Sequence, residues 1–413
     1  MTDLKIPVGI SDFAKIRNYQ YYYVDKTGLI EDLLENETAE VTLITRPRRF
    51  GKTMGMSMLA NFFDIRKDSK AMFAGLEISK NAALCKEWMN QWPVVFLSFK
   101  NIDGDKFSLA YQQMVYEIGL LYDSYSELLT SNKLSEDDKA LFLQLKRRTA
   151  NEIDVLRSIQ FLLSLLYKHY GKTVILLLDE YDVPLAKSSA HGYYPDMLNV
   201  IKSMMTTSLK DNNTLRFAVI TGCLRIAKES IFTGTNNFVS DTISSSHLNE
   251  YFGFTQADVD QILKDADCME HADDIKSWYD GYHFGDLDVY CPWDVMNYLR
   301  DLQRNPKAKP ASYWKNTSDN SIIRSFIDYR GAKISQKLET LLSGGYILQK
   351  VEEDLTYDYL HSSEENLWSI LYLTGYLTQV REDDLPAPLP EDTSALIIPN
   401  AEVREIFETT IQK

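Results

Sequence analysis

Over the first half of the chain, short apolar runs alternate with stretches whose apolar residues recur every three or four positions. Val41–Thr45 (VTLIT), Val94–Phe99 (VVFLSF), Val174–Leu178 (VILLL) and Leu215–Thr221 (LRFAVIT) are continuous apolar runs. That is the pattern of strands buried on both faces. Between them, Thr53–Phe63, Phe107–Leu121, the series Ile153, Leu156, Ile159, Leu163 and Leu166, and Leu198–Leu209 predict helices. Strands separated by helices imply right-handed crossovers and a mostly parallel sheet. The predicted fold class is therefore α/β, with a three-layer α/β/α core. Ligands of such sheets sit at the carboxyl ends of the strands.

Past about residue 250 the pattern changes. Thr255 is placed to cap a helix within Phe252–Leu263. Trp278–Tyr298 is rich in aromatics and carries turn signals at Asp280–Gly281 and Gly285. Asn305–Pro310 reads as a connector, Ser321–Ser343 as two short helices, and Gly344–Gly345 as a break. Leu367–Leu377 and Glu402–Ile411 read as helices on either side of the acidic, Pro-rich loop Asp383–Pro390. The expected division is a first domain over 1–250, a helical lid or connector over 251–318, and a mainly helical region over 319–413. A winged-helix-like module is one reading of that last region.

Composition narrows the classes. With 45% hydrophobic and 25% charged residues among 413, the chain reads as an ordinary globular protein. A net charge of −15 argues against a surface built to coat nucleic acid, and no direct nucleic-acid binding is expected. The four cysteines are widely spaced and the histidines form no metal-binding spacing, so neither a disulfide framework nor a zinc site is expected. No apolar run approaches the roughly 20 residues that span a bilayer, and the start of the chain lacks a secretory stretch. A cytoplasmic location is expected.

The candidate chemistry lies where strands end. The segment Arg46, Pro47, Arg48, Arg49, Phe50, Gly51, Lys52 and Thr53 (RPRRFGKT) joins the first strand to a helix. It matches the phosphate-loop pattern GxxxxGK[ST] except that Arg46 stands at the first Gly position. Gly51 lets backbone approach an anion, and the free N–H groups and dipole of the following helix attract negative charge. Lys52 is expected to reach the β- and γ-phosphates, Thr53 to ligate Mg²⁺, and Arg46, Arg48 and Arg49 to add positive potential. After VILLL come Asp179 and Glu180. Buried acids are costly unless paired or metal-bound, so Asp179 is expected to hold Mg²⁺ and Glu180 to polarise the attacking water. Thr221 ends the next strand and is placed to sense the γ-phosphate. Arg225 follows closely, with a role at phosphate and a plain salt bridge equally open.

Eleven strings in order carry a resemblance over nearly the whole chain. They include IPVGISDF, YYVDKTGLI, TRPRRFGKT, LLLDEYDVPL, ITGCLRIAKESIFTGTNNF, YFGFT, WYDGYHFG and VYCPWDVMNYL, and then LLSGGYI, LWSILYLTGYL and IPNAEVREIF. Together they resemble the bacterial AAA-ATPase-like family. The resemblance implies a P-loop NTPase core with an additional strand, ATP as the nucleotide, and RPRRFGK[ST] as the usual form of the loop. It places Lys52 and Thr53 in the nucleotide site and Asp179 and Glu180 in the metal and hydrolytic site. Asp25, Lys26 and Thr27 match the family's DKT string, for which a structural or nucleotide-flanking role is expected.

Members of that family commonly continue into a PD-(D/E)XK nuclease-like domain. This sequence stops near where that domain would begin, and no acid, acid-x-Lys arrangement follows a strand in Asn400–Lys413. Nuclease activity is not expected of these residues. A nuclease-like domain or a separate partner protein is a candidate recipient of motion. WYDGYHFG reads as packing at a domain junction in preference to base stacking. Two functions stay open: an ATP hydrolase that moves its C-terminal half or a partner, and a nucleotide-binding switch with little turnover. The oligomeric state is not readable.

Overall fold

The structure is a computed structural model that describes residues 4–35, 39–225, 231–232, 235, 237–314, 332–355 and 363–411. Its centre is a parallel sheet of β1 (Val41–Thr45), β2 (Val94–Ser98), β3 (Val174–Asp179), β4 (Leu215–Gly222) and β5 (Phe238–Asp241). The spatial order is β2-β3-β4-β1-β5. β1 and β3 are buried throughout, as their unbroken apolar runs require. β5 had no comparable signature, because its four residues, FVSD, are half polar.

Successive side chains of a strand point to opposite faces, and this builds the two outer layers. Ile175 and Leu177 join Ile44 and Val219 against the helix Lys52–Phe63. Leu176 and Leu178 join Leu43 and Ile220 against the helices Phe107–Asp123, Ser158–Tyr170 and Tyr194–Leu209. The long helix expected from Ile153 to Leu166 is two helices, Glu152–Leu156 and Ser158–Tyr170. Arg157 leaves helical geometry between them (φ −99°, ψ 5°).

A third apolar cluster lies beyond residue 250. The helix Gln256–Asp265 is capped by Thr255, whose hydroxyl accepts from Asp258 N while the Asp258 carboxylate accepts from Thr255 N. With the helices Ala272–Tyr279 and Pro292–Arg304 it packs against Ile6, Val8, Tyr22 and Val24 of the N-terminal segment. The DKT string fastens this arrangement. Asp25 accepts from Thr27 N (2.9 Å) and Glu77 N (2.7 Å), and Lys26 donates to Asp258 and to Glu250 O, both at 2.7 Å.

The aromatic string forms a hairpin of β6 (Tyr282–Phe284) and β7 (Leu287–Val289), and Phe50 packs on Tyr282 and Phe284 with ring centroids 4.9 and 5.0 Å apart. These aromatics therefore join the Arg46–Thr53 segment to the region beyond it. The C-terminal region contains the helices Ala332–Leu342, Glu364–Leu373 and Ala401–Ile411. It also contains an antiparallel sheet of β8 (Ile347–Gln349), β9 (Thr378–Gln379) and β10 (Ser394–Ile397), in the order β8-β10-β9. Strands of two to four residues are too short to show a period, so only the helices were legible. The earlier of the two helices expected in 321–343 lies outside the described residues. Among the described residues no helix is long and apolar enough to cross a membrane.

Candidate functional site

Because β4 lies between β1 and β3, the carboxyl ends of three strands adjoin. The chain leaves β1, turns through the Arg-rich loop and starts the helix Lys52–Phe63 at Gly51. Gly51 has φ 86°, a conformation that favours glycine. Lys52 is buried. Its Nζ donates to the carbonyls of Arg46 and Pro47, both at 2.9 Å, and lies 3.9 Å from Cys223 Sγ just past β4.

Asp179 ends β3 with no exposed surface. Thr53 Oγ1 donates to its Oδ2 at 2.9 Å and Thr221 Oγ1 to its Oδ1 at 2.6 Å. Three residues read from separate stretches of sequence thus share one carboxylate. These hydrogen bonds satisfy the buried carboxylate and offset the cost of its burial. Hydroxyl and carboxylate oxygens are also the hard donors that suit Mg²⁺. Glu180 follows in a left-handed conformation (φ 53°), with its N–H 3.3 Å from Thr221 Oγ1. Burial raises the Glu180 carboxyl above its ordinary range, and the Lys52 charge opposes that shift. Arg49, at φ 74°, is a second left-handed non-glycine residue here. Such conformations cost about 1–3 kcal/mol each and collect at functional sites.

A cavity of about 580 Å³ opens in front of these groups. Arg48, Arg49, Phe50, Gly51, Lys52, Thr53 and Glu180 line it. The N-terminal residues 7–11, residues 22–24, Trp293 and Met296 line it as well. This part of the lining was not foreseen, because its residues are apolar or backbone and carry no motif of their own.

The structure corrects the expectation for Arg46. Its side chain is fully buried and turned away from the cavity, paired with Asp241 at the end of β5. It also donates to the carbonyls of Thr45 (2.9 Å) and Asp241 (3.1 Å), and the rings of Phe252 and Phe284 lie over its guanidinium. Its charge is neutralised, so it adds no free positive potential to the cavity. It ties the loop base to β5 and the hairpin. Pro47 is likewise a support: a Cβ on Gly375, in the C-terminal region, would lie 2.9 Å from Pro47 Cβ. Arg49 stacks over Trp293 with 4.1 Å to the ring centroid. Arg225 forms an ion pair with Asp354 of the C-terminal region at 3.3 Å.

Asp182 was missed as a separate element of the DEYD string. It is buried, and its Oδ2 accepts from the N–H groups of Cys223 (3.0 Å) and Leu224 (3.0 Å), while Tyr181 OH donates to Leu224 O (2.8 Å). Asp179 and Glu180 face the site, and Tyr181 and Asp182 hold the turn that follows Thr221. The third acid of the string was the available signal.

Residues 7–232 match the model of the AAA-ATPase-like family, described as "Predicted AAA-ATPase". That is more than half of the chain. The chain belongs to the AAA-ATPase-like family. Membership of an AAA-ATPase-like family implies nucleotide binding in general. The matched span contains the sheet through β4, the Arg46–Thr53 loop and the acidic end of β3. A protein of Azotobacter chroococcum mcd 1, described as an uncharacterized protein in the vnfD 5' region, is 27% identical over 390 residues. The alignment covers 92% of this AAA-ATPase-like chain and 64% of that relative's length.

Proposed function

We propose that this chain binds Mg-ATP in the cavity and hydrolyses it, and that turnover moves the C-terminal region or a partner domain. The observation that carries the reading is the convergence of Thr53 and Thr221 on Asp179, at the head of the loop that holds Lys52. Mg²⁺, when bound beside Thr53 and Asp179, neutralises phosphate charge. The chain's own residues do the rest. Backbone N–H groups from Gly51 onward and the Lys52 ammonium hold the phosphates, and Glu180 takes a proton from the attacking water. A base must be ionised, so turnover rises as pH climbs through the raised Glu180 value. The direct packing of Gly375 on Pro47 supports transmission to the C-terminal region.

The second reading, a switch with little turnover, is favoured by one observation: Arg225 is engaged by Asp354. Calorimetric titration with ATP and assays of phosphate release separate the two. Lys52→Ala is expected to lower ATP affinity by about 10²-fold or more, and retained affinity would sink both readings. Glu180→Gln is expected to keep affinity and lose about 10²-fold in turnover. Equal turnover in Glu180→Gln removes Glu180 from the mechanism, and tight binding with no phosphate release selects the switch.

A further inference from the structure

The cavity wall carries two cations that belong to none of the strings singled out for phosphate. Lys100 and Lys187 both line the cavity, as do Lys52 and Glu180. Lys100 lies just beyond the end of β2, the strand whose Ser98 is in register with Asp179. Its turn is pinned from several directions. Phe99 N donates to Asp179 O (2.9 Å), Ile102 N to Phe99 O (3.1 Å), and Tyr193 OH to Gly104 O (2.7 Å). Phe99 and Ile102 are buried, and Ser98 Oγ lies 3.4 Å from Asp179 Oδ2. The turn is therefore a rigid extension of the strand end that carries Asp179.

Other cations of the cavity wall already have partners. Lys26 holds Asp258, Lys52 holds two carbonyls, Lys187 pairs with Asp103 at 3.4 Å, and Arg49 covers Trp293. The Lys100 side chain is exposed and makes no ion pair or hydrogen bond among the described residues. Arg225, the cation picked from the sequence, is on Asp354. In phosphoryl transfer, charge spreads over the equatorial oxygens of the transferring group, and a fixed cation there lowers the barrier.

We propose that Lys100 is a further catalytic residue, whose ammonium contacts the γ-phosphoryl oxygens of ATP in the transition state. The inference rests on the hydrolytic reading above. The water oxygen forms a bond to the γ-phosphorus. The bridging P–O bond breaks with its electron pair leaving on ADP, and the proton of the water passes to Glu180. Lys100 stays protonated throughout.

The test compares the wild-type chain with Lys100→Ala and Lys100→Arg, by steady-state phosphate release and by calorimetry with ATP and with ADP. Lys100→Ala is expected to lower kcat by about 10²-fold, the scale of one lost oxyanion donor. Lys100→Arg is expected to recover most of that loss, and ADP affinity to stay as in wild type. Unchanged kcat in Lys100→Ala overturns the proposal. So does a change in KM alone that disappears in high salt, which would mark Lys100 as a steering charge. A wild type that releases no phosphate defeats the hydrolytic reading and the catalytic role with it. A contact to the γ-phosphate then survives only if Lys100→Ala weakens ATP and not ADP.

Discussion

Two fully buried aspartates sit in contrasting surroundings. Asp179, at the end of β3, receives hydroxyl donors from Thr53 and Thr221, and a cavity opens in front of the group it belongs to. Asp294, on the helix Pro292–Arg304, faces Cys291 and a second acid, Glu402 of the last helix. Burial raises both members of that pair. The contrast teaches that a buried acid is not by itself a site. What distinguishes the β3 end is convergent donors, a cation on the adjoining loop and room for a ligand. The Asp294–Glu402 pair instead sits where the C-terminal helix docks.

The largest expected effect comes from removing the buried pair that holds the loop base beside the β3 end. Arg46→Ala takes the guanidinium partner from the buried Asp241 carboxylate and leaves it only His247, 3.5 Å away, a loss of up to about 3–5 kcal/mol. Urea unfolding should show that loss, while Arg48→Ala should unfold much like wild type. If Arg46→Ala matches Arg48→Ala, the buried pair does not hold the loop base.

A smaller effect sharpens the difference between the acids. Folding holds Asp294 at about 6 and Glu402 well above its ordinary value, so the folded chain binds more protons than the unfolded one above about pH 4. Their contribution is full below the unfolded values and is lost as pH rises through the folded ones. The slope is up to about 1.4 kcal/mol per pH unit for each proton. The thermal midpoint should therefore fall between pH 5 and pH 8, with a flatter profile in Asp294→Asn. An identical slope in the two proteins would assign the pH dependence elsewhere.

The smallest effect is expected at Arg225 and Asp354, a pair that is 34% and 46% exposed. Pairs of that kind contribute about 0–1 kcal/mol, so Asp354→Ala should barely move the unfolding midpoint. Turnover makes the finer distinction. If Arg225 acts at phosphate, Arg225→Ala lowers phosphate release and Asp354→Ala does not. Parallel behaviour of the two variants means that the ion pair itself is what matters.

The sequence by itself determined the α/β core, because strands covered on both faces must be continuously apolar and their helices must keep a period near 3.6. It also marked the Arg46–Thr53 loop and Asp179–Glu180 as the candidate site, since glycine at a left-handed turn, lysine and hydroxyl at a helix start, and carboxylate after an apolar run are a combination suited to phosphate. Only the tertiary structure decided what Arg46 does. A guanidinium beside a phosphate and one buried against Asp241 look the same in a string of letters, and the choice depends on a strand almost 200 positions away. The same holds for Lys100 and the wall of residues 7–11 and Trp293. Their significance comes from which chain ends the sheet order brings together, and that order is set by packing between distant segments.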